Sequence, residues 1–230
     1  MTEPPIGLIA AIPEELAEFG RHFVEESRQE IAGLSFRIGR LDERAVVAVE
    51  AGIGKVNAAL VATLLLREFD CSALVFSGVA GGLDPALGVG DVVVAERLIA
   101  HDYGALIDGR IKPYQPGVPP LPGFPENFGY DVPDGLLARL KRNLVDVELP
   151  TVSAAAAGGE ARTPKLVFGT VLTGDTFLNC AKTRDRLHAE LGGLAVEMEG
   201  AAIAQVAERF GAPAVVVRAL SDLAGADSHM

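Results

Sequence analysis

Two glutamates spaced i, i+2 stand in Ala195-Val196-Glu197-Met198-Glu199-Gly200, directly after an apolar run. In an extended segment that spacing puts both side chains on one face. Carboxylates at the end of a buried strand are costly to desolvate unless a partner meets them. One of the two is expected to cap the helix that starts near Gly200. The other is then free to accept two ribose hydroxyls, as acidic residues do in nucleotide-binding folds. A further acid follows the apolar run 214–220, in Ser221-Asp222. That pair reads either as a helix N-cap or as an acid held at the end of a core strand. An acid there suits the departure of a purine, since protonation at N7 makes the leaving group a neutral base. A positioned acid contributes ~10²–10⁴ in rate. Glu14 and Glu15 follow the first apolar run behind Pro13. They complement a helix dipole, and one of them can act as a base toward water.

Two glycine-bearing stretches, Gly52-Ile53-Gly54-Lys55 and Gly78-Val79-Ala80-Gly81-Gly82, let a ligand approach the backbone closely. Neither matches a Walker or dinucleotide fingerprint. Lys55 reads as a solvated residue at a helix start.

These groups need elements to hold them. Strand-length apolar runs cover 6–12, 34–41, 45–49, 73–76, 91–99, 167–173, 195–198 and 214–220. Helical spacing covers 58–69, 134–145, 183–191 and 201–210, the last closed by Gly211. The proline-rich stretch 104–133 reads as one extended loop, of a length that is functional or interfacial in compact domains. The Ala/Gly-rich segment 153–159 reads as a flexible surface segment. Strands alternating with helices predict a three-layer α/β/α domain around a central mixed, mainly parallel sheet. Ligands gather at the carboxyl ends of strands in such sheets, which is where the acids above fall.

Composition narrows the function. A 49% apolar, 22% charged chain of 230 residues is globular and long enough for a large core. A net charge of −11 disfavours nucleic acid and anionic membranes as partners. The first apolar run is too short for a membrane span and lacks the flanks of a signal peptide. Cys71 and Cys180 offer no disulfide framework, which fits reduced thiols in the cytoplasm. No two of His22, His101, His188 and His229 share a helical face spacing, so no metal site is expected.

In combination and in order, several segments resemble the methylthioadenosine/S-adenosylhomocysteine nucleosidases of the purine nucleoside phosphorylase superfamily. They are 6–15, Gly52-Ile53-Gly54-Lys55-Val56-Asn57-Ala58-Ala59, 77–83, Gly90-Asp91-Val92-Val93-Val94, Thr173-Gly174-Asp175-Thr176-Phe177-Leu178-Asn179, 195–200 and 218–222. The resemblance runs from about residue 6 to the C-terminus. It implies a single domain over 1–230, a homodimer, and no metal or organic cofactor. It implies that the small-molecule substrate is a 5′-substituted adenine nucleoside, cleaved to adenine and a 5-substituted ribose. By the same resemblance Glu15 activates water and Asp222 is the acid at N7, oriented by Ser221. Glu199 holds the ribose hydroxyls, Met198 lies under the sugar and Glu197 is a neighbouring site glutamate. Phe177 stacks on adenine and Leu178 reads its edge through the backbone. Ile53 and Ile12 wall the sugar and its 5′ substituent, and Val79, Ala80 and Gly81 form the turn beside them.

Three departures accompany the resemblance. Val79 stands where many members carry serine. The 104–133 stretch, best matched at Leu121-Pro122-Gly123 and expected to reach a neighbouring subunit's site, is longer than usual. The family continues into a last long helix, whereas eight residues follow Asp222 here, so looser packing behind Asp222 is expected. Phosphorolysis and non-catalytic nucleoside binding are the alternatives. Phosphorylases of the superfamily carry arginines where this chain has Phe76 and Pro13-Glu14-Glu15-Leu16, and their loss favours water over phosphate. A mere binding module has no need of both Glu15 and Asp222. The 5′ substituent, whether methylthio, homocysteinyl, deoxy or aminofutalosine-like, stays open.

Overall fold

A computed structural model describes residues 3–17, 19–118, 121 and 128–225. Pro122 and Gly123 of the best-matched loop segment, and the last five residues, lie outside these. Strand β1 (Ile6–Ala10) leads to a one-turn helix α1 (Pro13–Leu16). Strands β2 (Phe23–Ile31), β3 (Leu34–Leu41) and β4 (Arg44–Glu50) precede helix α2 (Lys55–Glu68). Next come β5 (Ala73–Gly82), β6 (Val92–Ala100), β7 (Gly104–Ile107), β8 (Arg110–Pro113) and β9 (Tyr130–Asp131). Helices α3 (Asp134–Leu144) and α4 (Ala154–Ala157) precede β10 (Leu166–Thr173), α5 (Ala181–Leu191), β11 (Gly193–Glu197), α6 (Gly200–Phe210) and β12 (Ala214–Asp222).

The main sheet runs β11-β10-β6-β12-β5-β1-β4-β3-β2, with β9 on β6. Parallel pairings join β4, β1, β5 and β12, and separately β6, β10 and β11. Antiparallel pairings join β6 to β12 and β9, and build the β2–β3–β4 margin. The sheet is therefore mixed as expected, two parallel blocks meeting at the antiparallel β6–β12 pair. Strand β11 also pairs antiparallel with β5 through Ala195–Gly82 and Val196–Gly81. That second pairing curls one half of the sheet until the ends of β5, β10, β11 and β12 converge.

Alternation along β1 and β4 separates the layers. Ile9, Val47 and Val49 join the core beneath α2 and α6, while Leu8, Ala10, Val46 and Ala48 meet Leu16 of α1 on the other face. Helix α2 buries Ala58, Val61, Ala62, Leu65 and Leu66, an i, i+3, i+4, i+7, i+8 stripe. Helix α6 offers the small residues Ala201, Ala202, Ala204 and Ala207, so the two helices lie close together.

Two sequence expectations are corrected, and one strand is new. Strand β2 has no signal of its own, because its interior from Val24 to Glu30 is exposed and it is ordered by pairing with β3. The 104–133 stretch is not one extended loop. It contains the β7–β8 hairpin, turned at Asp108 (φ 49) and Gly109 (φ 74), and an Asp-Gly pair between apolar residues is a strong hairpin signal. The 153–159 segment holds helix α4, capped by Ser153 Oγ accepting from Ala156 N–H at 3.3 Å.

Asp91 pins the starts of β6 and β10. It is fully buried and accepts from Arg162 Nη2 at 2.8 and 3.0 Å, Lys165 N–H at 2.8 Å and Gly88 N–H at 2.9 Å. Burial pushes its carboxyl up, but Arg162 and the two N–H groups outweigh burial and hold it below the ordinary range. A carboxyl depressed in the native state contributes stability above its unfolded value of about 3.9, lost as pH falls through the lower native value. Arg162→Met should therefore lower stability at neutral pH by about 2–3 kcal/mol, since Arg162 keeps some solvent contact. Urea unfolding at several pH values checks this: the gap should narrow below about pH 4, and equal midpoints at neutral pH would contradict it.

Candidate active site

The converging strand ends enclose a pocket with about 640 Å³ of open space, its mouth included. Glu15, Ile53, Val79, Ala80, Gly81, Phe177, Leu178, Glu197, Met198, Glu199, Ser221 and Asp222 all line it, with Ile12 beside them. The residues that the resemblance assigns to the site are thus brought to one place. Among the described residues, no lysine or arginine lines this pocket.

Glu15 enters on α1, where Pro13 at the first position presets the helical turn. Its Oε2 accepts from the N–H groups of Ala11 (2.7 Å) and Ile12 (3.3 Å), and its Oε1 from Val79 N–H (2.9 Å). Three backbone donors from two segments fix the carboxylate at the pocket wall. Glu14, by contrast, is exposed. At position 79 the backbone N–H holds Glu15, so this contact does not depend on a hydroxyl side chain.

Beneath the pocket lies Arg218, the largest fully buried side chain described and 0% exposed. Its guanidinium stacks on Phe76 at 3.5 Å from the ring centroid. Its Nη2 donates to Glu197 Oε2 at 2.8 Å and lies 3.7 Å from Glu199 Oε2. Glu197 Oε2 also accepts from the N–H groups of Glu199 (3.0 Å) and Gly200 (2.8 Å). Glu197 Oε1 accepts from the Thr173 hydroxyl, whose Oγ1 in turn accepts from Ala201 N–H at 2.9 Å. The capping role foreseen for one of the two glutamates thus belongs to Glu197. Its carboxylate lines the pocket, but the protein's own donors already fill it.

The shared face expected for the pair also ends early. Strand β11 stops at Glu197, and Glu199, at the N-cap position of α6 but with no capping bond from its own side chain, turns away. Glu199 Oε1 accepts from Gly54 N–H at 2.7 Å, and Oε2 from Met198 N–H at 3.3 Å. Burial, with the Glu197 carboxylate next in weight, pushes the Glu199 carboxyl up to about 7 despite these N–H groups and Arg218.

Gly78 makes the arrangement possible. A Cβ there would stand 2.2 Å from Arg218 Nη1 and 2.3 Å from Glu15 Oε1. Only glycine lets the guanidinium and carboxylate approach each other across β5. The glycine stretch thus brings protein groups together across the strand.

Asp222 closes the far side. The β5–β12 register shifts between Leu220 and Asp222, pairing Asp222 with Gly81, and such an irregularity re-aims a strand-end side chain. Ser221 Oγ donates to Asp222 Oδ2 at 3.0 Å, and Ala224 N–H to Oδ1 at 2.7 Å. Phe177 is 42% exposed rather than core; with Ile53 and Met198 it contributes to the apolar wall.

Sequence reasoning passed over Arg218 and Thr173 as site-builders. Arg218 was visible as a lone cation inside the core run 214–220, where a charge requires a partner. Thr173 gave no signal, because a threonine ends many strands. Lys55, read as solvated, instead pairs with Asp102 at 2.6 Å.

The sequence profile of the phosphorylase superfamily matches residues 5–230. A 5′-methylthioadenosine/S-adenosylhomocysteine nucleosidase of Mycobacterium tuberculosis is 51% identical, over 97% of this chain and 87% of its own length. The S-adenosylhomocysteine nucleosidase of Streptococcus pyogenes, solved with 5-methylthiotubericidin, superposes with a TM-score of 0.80 at 31% identity, covering 99% of this chain and 87% of that one. The nucleosidase of Colwellia psychrerythraea, solved with adenine, gives 0.79 at 35% identity, with 99% and 86% covered. Likeness in sequence and fold over nearly the whole length means that this chain belongs to the phosphorylase superfamily and, within it, to the 5′-methylthioadenosine/S-adenosylhomocysteine nucleosidase family.

Proposed function

We propose that this protein hydrolyses the N-glycosidic bond of 5′-substituted adenine nucleosides of the methylthioadenosine and S-adenosylhomocysteine type, releasing adenine and a 5-substituted ribose. The observation that carries this reading is the set of fixed carboxylates around a pocket whose wall, among the described residues, has no cationic side chain. A phosphate nucleophile needs bidentate cations. Arg218, the nearest guanidinium, lies buried with Nη2 committed to Glu197.

In this mechanism adenine stacks on Phe177 with its edge along the Leu178 backbone. Asp222, oriented by Ser221, delivers a proton to N7. As the bond to C1′ lengthens, the sugar becomes oxocarbenium-like, much as in glycoside hydrolysis. Glu199 accepts the ribose hydroxyls and stabilises the developing positive charge, with Met198 beneath the sugar. Water activated by Glu15 then attacks C1′. Glu197 and Arg218 position Glu199 rather than touch the substrate. No cofactor takes part in any of these steps.

We further propose a homodimer. Val56 (81% exposed) and Leu60 share a face of α2, and Leu106, Ile107 and Ile111 project from the β7–β8 hairpin. These large apolar residues fit a subunit interface, with the 104–133 region helping to close the partner's site. The substrate class fits a place in methionine salvage, and the free thiols Cys71 and Cys180 fit the cytoplasm.

Four outcomes are expected. Adenine release from 5′-methylthioadenosine should proceed at the same rate with and without phosphate; a ribose 1-phosphate product would overturn the hydrolase reading. Asp222→Asn should lower kcat at least ~10²-fold while binding stays within roughly tenfold, because the amide cannot give up the proton; near-normal turnover would reassign the acid. Since ionised Glu199 is the form that accepts both hydroxyls, kcat/KM should fall as pH drops through about 7. A profile flat from about pH 8 to about pH 6 would contradict that role. Sedimentation at micromolar concentration should give a dimer, and a fully active monomer would contradict the proposed interface.

A further inference from the structure

Outside the pocket, three segments meet in a closed ring of charge and backbone contacts. They are the turn before α2, the residues after β6 and the loop after β10. Lys55 Nζ lies 2.6 Å from Asp102 Oδ1 and 3.5 Å from Asp175 Oδ2. Lys55 N–H donates to Asp175 Oδ1 at 2.9 Å, and Asp175 N–H donates to Asp102 Oδ2 at 2.8 Å. Each of the three residues touches both others. None of them lines the pocket, so none is placed to touch a nucleoside there.

The ring's neighbours do line it or hold it. One residue before Lys55, Gly54 N–H donates to Glu199 Oε1 at 2.7 Å. Two residues after Asp175, Phe177 forms the pocket wall. Gly54 has φ +101, and Asp175 Oδ1 sits 3.3 Å from where its Cβ would stand. By accepting from the adjacent Lys55 N–H, the carboxylate holds the glycine turn that aims the Gly54 N–H at Glu199. An exposed ion pair contributes roughly 0–1 kcal/mol and would not matter here. This one differs in being a three-residue network with two backbone donors, and the side chains of Lys55 and Asp102 are only 23% and 20% exposed. The Asp102 carboxyl, pushed up by burial, is brought below its ordinary value chiefly by Lys55 and the Asp175 N–H. The contacts are therefore strong enough to outweigh desolvation.

We propose that Lys55, Asp102 and Asp175 are positioning residues that lock the ribose-holding turn at Gly54 to the base-stacking loop at Phe177, setting the distance between the sugar and adenine subsites. This rests on the nucleosidase reading above. The network couples two parts of one substrate site through Lys55 and Asp175, which are 120 residues apart in sequence.

Lys55→Met and Asp102→Asn test it, with Lys55→Arg as the conservative variant. The expected result for Lys55→Met is a fall in kcat/KM of about tenfold or more, as slight misplacement of bound groups produces. The acid limb near pH 7 should also move upward, because a looser Gly54 N–H supports ionised Glu199 less; Glu197 and Arg218, which also face Glu199, are unchanged. Asp102→Asn should show the same two changes, and Lys55→Arg should recover much of the loss. If Lys55→Met fails to fold, Asp102→Asn, which keeps the shape, carries the test. An unchanged pH limb and unchanged kcat/KM in folded Lys55→Met or Asp102→Asn would overturn the proposal while leaving the nucleosidase reading intact. A wild-type protein that releases no adenine would instead overturn the reading on which it rests.

Discussion

A guanidinium with no solvent exposure sits under the pocket, and the groups that neutralise it determine the geometry above. Arg218 needs a carboxylate, and Glu197 supplies it. Having done so, Glu197 also gathers the first N–H groups of α6, which anchors that helix at the end of β11. Glu199 is then left as the second, less compensated acid of the pair, reaching outward to Gly54. Across β5, the bare backbone of Gly78 admits both Arg218 and Glu15. Breaking a buried pair of this kind by removing one partner costs about 3–5 kcal/mol. The pair therefore constrains both the fold of the strand ends and the chemistry at their tips.

Division of labour among the acids follows from their surroundings. Glu197 meets a guanidinium, a hydroxyl and helix N–H groups, which hold its carboxylate in place at the pocket wall. Glu15 is fixed by three backbone donors, with the Arg218 guanidinium approaching it across Gly78. Glu199 is buried close to another carboxylate, which raises its pKa toward neutrality. Asp222 stands at a strand irregularity with a serine partner. In the proposed mechanism four carboxylates around one pocket take different tasks because each meets different donors, the same principle that separates acid and base roles in other enzymes.

Much of this was legible in the sequence where the signal was local. The acids after β11 and β12, the glutamates behind Pro13, and the glycine-bearing turns all sit at strand ends that apolar runs announce. Other features depend on tertiary contacts. Strand β2 is polar over most of its length and exists because β3 offers a partner. The Glu197/Glu199 pair reads as equivalent until the positions of Arg218 and Gly54 are known, 21 and 145 residues away in sequence. Lys55 looks like any helix-start lysine until β6 and β10 bring Asp102 and Asp175 to it. The hairpin in 104–133 is a different case: Asp108-Gly109 announced it, and the surrounding prolines obscured it.

The central claim is that one pocket presents an acid to N7, a carboxylate to the ribose and a base to water. A crystal structure with a 5′-methylthio adenine nucleoside analogue, its base joined to the sugar by a carbon–carbon bond, tests it most directly. The account predicts Asp222 about 3 Å from N7, both ribose hydroxyls on Glu199, and a water held by Glu15 on the face of C1′ opposite the base. A base turned toward Glu15, or a sugar with no contact to Glu199, would contradict it.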